Sequence, residues 1–127
     1  MQHVPTRKLF HFSRLCLATT LTLGSLISTA SFADSSSDII AQGKQLTFDR
    51  KKGNCLACHI IDDGTLAGNG GPPLVSMKIR FPDASRLRAQ IWDATANNPS
   101  SIMPPFGRHG ILSEDEIDKV ITYLFTL

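Results

Sequence analysis

One short stretch, Cys55-Leu56-Ala57-Cys58-His59, constrains this chain more than any other. Cys-x-x-Cys followed at once by His is the attachment signature of a c-type haem. On one helical turn, residues three apart share a face. Two thiols at that spacing can reach the two vinyl groups on one edge of a porphyrin, and the next residue, His59, is turned toward the ring centre as an iron ligand. Two other readings of Cys-x-x-Cys are weaker. As half of a zinc site it would need a second ligand pair, and beyond residue 33 the chain has no further cysteine and, outside the motif, only His109. A redox dithiol needs a βαβ pattern, and no strand alternation is present. The motif therefore predicts a single covalent haem c inside a small helical domain.

Haem attachment takes place outside the cytoplasm, and the start of the chain agrees. Arg7, Lys8 and Arg14 form a basic region, residues 15–27 carry no charge, and Ser31-Phe32-Ala33 fits a small-x-Ala cleavage site. That order reads as a secretory signal over residues 1–33, cut after Ala33, and predicts a periplasmic protein. Ala30 is a second candidate site. The apolar run is short for a span of ~20 residues, which favours cleavage over an anchor. Arg7-Lys8 is not a twin arginine. Cys16 stands at the start of the apolar region rather than after it, so it does not sit where a lipoprotein cysteine would. Without residues 1–33, three of the 13 basic residues are lost and none of the 11 acidic ones, which leaves a charge near −1. The basic character thus belongs to the signal and points to no nucleic-acid partner. Residues 34–127 make one domain, small enough to need a covalent staple beside its core.

Helical spacing predicts three clear helices. Asp38 to Phe48 carries Ile39, Ile40 and Leu46, with Gly43 in its middle; a mid-helix glycine costs about 1 kcal/mol against alanine, so Gly43 marks either close approach of another helix or a tolerated surface position. Ala84 to Ala96 follows Pro82-Asp83 and keeps Leu87 and Ile91 in phase. The last helix begins at a capping box, Ser113 with Glu116. Its residues Ile117, Val120, Ile121 and Leu124 fall at i, i+3, i+4 and i+7. Asp49 to Asn54 is a charged turn. Residues 62–73 and 97–110 are rich in Gly and Pro and read as loops. Loops this long in a small domain are usually functional. Gly68-Asn69-Gly70-Gly71 lacks the strand, helix and Lys of a phosphate loop.

The second axial ligand has three candidates. Met103 lies in Ile102-Met103-Pro104-Pro105-Phe106-Gly107, and a residue before proline is held out of helical geometry, as a stiff ligand strap requires. Met103 is the better reading. His109 and Met77 are the others, His109 as a surface or haem-edge residue and Met77 as a flexible packing side chain. Gly71-Pro72-Pro73-Leu74 offers a proline carbonyl, which can only accept. At Pro72 it could take the other imidazole N–H of His59 and fix the ring, or the segment could be a plain rigid turn. Trp92 could donate its N–H to a haem propionate or serve the core alone.

With these residues in view, Gly53-Asn54-Cys55-Leu56-Ala57-Cys58-His59, Gly71-Pro72-Pro73-Leu74 and Met103-Pro104-Pro105-Phe106-Gly107 resemble, in order, the class I cytochromes c. That resemblance implies an all-α fold of three to four helices with long loops around one haem. More narrowly, the chain resembles the SoxX family, the monohaem subunits of SoxAX cytochromes in bacterial sulfur oxidation. Residues 53–59, 88–95, 98–107 and 116–127 carry that likeness, and it extends over nearly all of the domain. The resemblance implies His59 and Met103 as axial ligands and Cys55 and Cys58 as thioethers. It also implies partners: a SoxA-type cytochrome subunit, a SoxYZ-type carrier protein as substrate, and a soluble electron acceptor. In that enzyme, an L-cysteine S-thiosulfotransferase, thiosulfate is joined oxidatively to a carrier cysteine, and the catalytic cysteine lies on the SoxA-type subunit. The chain's own residues agree in part. Coupling releases two electrons while one haem takes one, and beyond residue 33 no thiol is left once Cys55 and Cys58 hold haem. A freestanding electron carrier meets the same facts.

Overall fold

A computed structural model describes residues 35–127; the proposed signal and its cleavage site lie outside the described residues. Helix α1, Ser36–Phe48, starts two residues earlier than its apolar pattern suggests, because the Ser35 side chain caps it by accepting from the Asp38 N–H. Cys55–Ala57 forms a single 3₁₀ turn. Helix α2, Met77–Arg80, is one short turn that no periodicity announced. Helix α3, Ala84–Trp92, and helix α4, Ala94–Asn97, occupy the stretch read from sequence as one helix. Asp93 breaks it: its backbone is extended, and its carboxylate accepts from the Thr95 N–H and Oγ1, recapping the chain. Short Asp side chains favour this local bonding over helix continuation. Helix α5, Glu114–Leu124, has the capping box in full, Ser113 Oγ accepting from the Glu116 N–H and Glu116 accepting from the Ser113 N–H. Among the described residues all regular structure is helical, with five α-helices in place of three or four. None is long and apolar enough to cross a membrane.

The frame is the crossing of α1 and α5. Gly43 sits at their closest approach, where a Cβ would collide with the Lys119 carbonyl and come within 2.9 Å of the Tyr123 Cβ. The Gly43 carbonyl accepts from Thr47 Oγ1 at 2.7 Å, which satisfies a hydroxyl that is fully buried. Phe48 and Tyr123 meet edge to face, centroids 6.2 Å apart, a favoured geometry for aromatic pairs. Ile117, Val120, Ile121 and Leu124 turn inward from α5 and join Ile61, Leu74, Leu87, Ile91 and Leu112 in one core. Burying each such side chain contributes roughly 1.5–3 kcal/mol.

The long loops are folded back onto the Cys-x-x-Cys-His segment. The Gly68, Gly71 and Leu74 N–H groups donate to the carbonyls of Leu56, Cys58 and Ile60, all within 2.9 Å. Lys44 on α1 pairs with Asp62 at 2.8 Å and Asp63 at 2.7 Å, and Tyr123 Oη donates to Asp62. The loop following His59 is thereby tied to both helices of the frame.

Candidate haem site

The site begins at the end of α1. Asn54 adopts a left-handed conformation (φ 46°) and its N–H donates to the Asp49 carbonyl, reversing the chain into the 3₁₀ turn. Residues three apart eclipse in a 3₁₀ turn, and Cys55 and Cys58 both line one cavity of about 520 Å³. That size lies within the ~300–1,000 Å³ of small-molecule and cofactor pockets. Its wall is largely apolar, with Leu74, Leu87, Ile91, Phe106, Leu112, Val120 and Leu124. Burial against this wall, with a smaller push from Cys58, moves the Cys55 thiol up to about 11.

His59 also lines the cavity, and its Nδ1 lies 2.7 Å from the Pro72 carbonyl. A carbonyl can only accept, so Nδ1 carries the proton and Nε2 keeps its lone pair for a metal. Gly71 makes this approach possible: a Cβ there would sit 2.7 Å from Nδ1 and 2.9 Å from Nε2.

The three ligand candidates separate in space. Met103 lines the cavity on the strap between α4 and α5, its N–H held by Ser101 Oγ at 3.2 Å. Met77 lines it too, but is 1% exposed in the core, and its sulfur accepts from Arg80 at 3.5 Å. His109 is exposed and does not line the cavity. Nor does Trp92: its indole lies against Gly107, and its carbonyl accepts from the Gly107 and Arg108 N–H groups at 3.2 Å. Trp92 therefore meets the strap from behind. The structure thus brings Cys55, Cys58, His59, Pro72 and Met103 together and sets Trp92 apart.

Residues 39–124 match the family model described as cytochrome c oxidase, cbb3-type, subunit III. The chain belongs to this family of cytochrome c domains. It is also 39% identical over 75 residues to an uncharacterized lipoprotein of Aquifex aeolicus (strain VF5), an alignment covering 58% of this chain and 36% of that protein. The chain thus spans little more than a third of that relative's length. As a member of this cytochrome c family, the protein carries covalent haem c and serves electron transfer.

The residues present fit that group. Two thiols, an imidazole with a free Nε2 and a thioether share one apolar cavity, and imidazole and thioether are established haem-iron ligands. Two further features of the wall escaped sequence reasoning. Arg50, Lys51, Lys52 and Arg80 bring positive charge to the cavity, the first three from the charged turn and Arg80 from α2. Gln90 lines it as well. Its position three residues after Leu87, a polar side chain on an apolar helical face, was the available signal.

Proposed function

We propose that this chain is a periplasmic monohaem cytochrome that works as the SoxX-type subunit of a SoxAX-type L-cysteine S-thiosulfotransferase. The observation carrying the electron-transfer part is the convergence of Cys55, Cys58, His59 and Met103 on one apolar cavity. Cys55 and Cys58 would hold the haem through thioethers, and His59 and Met103 would ligate its iron. Bound there, haem c supplies reversible one-electron chemistry at a potential raised by His/Met ligation. The Pro72 carbonyl holds the His59 ring and its tautomer; the Pro104-Pro105 strap, braced by Ser101 and Trp92, holds the thioether; the apolar wall excludes water.

The subunit role rests on the SoxX resemblance together with the chain's own chemistry. A carrier thiol and thiosulfate give a cysteine S-thiosulfonate, one proton and two electrons as the sulfur–sulfur bond forms. Among the described residues Cys55 and Cys58 are the only cysteines, so with haem attached there is no thiol to run that coupling, and one haem takes one of the two electrons. A SoxA-type partner would supply the catalytic cysteine, a SoxYZ-type protein the substrate thiol, and a soluble acceptor would carry electrons away.

Affinity purification of the tagged protein from its own periplasm, with haem counted per complex, tests this reading. A second haem protein in fixed ratio, and thiosulfate–carrier coupling by that complex, is the expected result. A chain recovered alone with one haem would refute the subunit role and leave a freestanding electron carrier.

A further inference from the structure

We propose that Gln90 is a positioning residue for Met103, its side-chain amide donating to the Met103 sulfur and thereby setting both the sulfur's orientation and the reduction potential of the site. The inference rests on Met103 being the axial ligand. Gln90 Nε2 lies 3.9 Å from Met103 Sδ, at the long end of an N–H···S contact. Both residues line the cavity and both are half-buried. Gln90 stands on a rigid support, since its neighbours on α3, Leu87 and Ile91, are anchored in the core. The Met103 backbone is fixed separately by Ser101 and by the prolines that follow it.

A thioether sulfur has two lone pairs. One can bind iron, and the second is left to accept a weak hydrogen bond. A donor on that second lone pair selects one of the two ways in which the sulfur can present itself to iron. It also places the positive end of an amide dipole beside a ligand atom. That disfavours the more positive, oxidised state and raises the potential, one of the levers by which a protein tunes haem iron. The other methionine of the cavity makes a useful contrast. The Met77 sulfur accepts from the Arg80 guanidinium, which also donates to the Pro73 carbonyl at 2.8 Å. Met77 is thus pinned within the core by a cation, whereas Met103 has a neutral donor reaching it across the cavity wall.

The test uses holoprotein variants Gln90→Leu and Gln90→Asn. Leucine keeps most of the volume without the donor; asparagine keeps the amide but withdraws it by one methylene. Both should lower the reduction potential measured by spectroelectrochemistry. Both should also speed the displacement of the sulfur from ferric haem by added imidazole by about 2- to 10-fold, the range of one neutral hydrogen bond. A purely structural role would move the unfolding midpoint and leave these two readouts alone. If the folded variants keep the wild-type potential and displacement rate, the inference is overturned; should the leucine variant not fold, the asparagine variant decides. Met103→Ala separates this from the ligand assignment. Loss of the weak far-red band of the oxidised spectrum supports Met103 as ligand whatever Gln90 does. Persistence of that band overturns the ligand assignment, and the role of Gln90 with it.

Discussion

Replacing Gly43 by alanine should destabilise this protein, although alanine is the better helix former. In an open helix the change would gain about 0.8–1.0 kcal/mol. Here the new methyl would overlap the Lys119 carbonyl and lie 2.7 Å from its carbon and 2.9 Å from the Tyr123 Cβ. Carbon atoms pack best at about 3.5–4.0 Å, so α1 and α5 would have to separate. The obstacle is helical backbone, which cannot rotate aside as a side-chain tip can. Overpacking of this kind costs about 1–3 kcal/mol, and contact with rigid backbone places it at the upper end. After the propensity gain, a net loss of about 2 kcal/mol is expected. For a domain of this size that corresponds to a fall in Tm of about 8–16 °C. Urea unfolding of the oxidised holoprotein measures it, and covalent attachment keeps haem loss out of the equilibrium. Ala41→Gly, at an exposed position of the same helix, is the control and should cost only about 1 kcal/mol. A Gly43→Ala protein as stable as wild type, or more so, would show that α1 and α5 do not meet as described.

Three further outcomes are expected. Gly71→Ala should crowd the His59 ring and loosen its bond to Pro72, giving less holoprotein with an altered Soret spectrum; normal yield and spectrum would contradict the assigned ring position. Ser113→Ala removes the cap of α5 and should cost about 0.5–2 kcal/mol in urea unfolding, with no spectral change because Ser113 does not line the cavity. On acidification, stability should fall. Glu116 is held below the usual carboxylate range by Lys52 and then by the Ser113 N–H, and Asp62 by Lys44. A depressed folded value means these contributions are present above the unfolded values, about 3.9–4.3, and are lost as pH falls through the folded ones. Urea midpoints from pH 7 to 3 should therefore drop, less steeply in Glu116→Gln; a flat profile would contradict the pairing.

Tertiary structure decided what local rules could not. Asp93 split a helix whose apolar phase ran on unbroken, since a carboxylate cap competes with helix bonding at close range. Gly43 was ambiguous until α5 was seen against it. Trp92 reads from sequence equally as a propionate donor or a core residue, and only the structure places its indole against Gly107. Gln90 acquired meaning only from Met103, on a different segment of the cavity wall.

What the sequence determined by itself is local and covalent: the Cys-x-x-Cys-His spacing that binds haem c, the capping box of Ser113 and Glu116, the apolar face of α5, and the proline-stiffened segment around Met103. Each depends on contacts within a few residues, where bond geometry and helical periodicity leave little freedom. The cavity depends on chain closure. Its wall draws residues from Arg50 to Leu124, and which polar groups reach Met103 and His59 was settled only when those segments packed together.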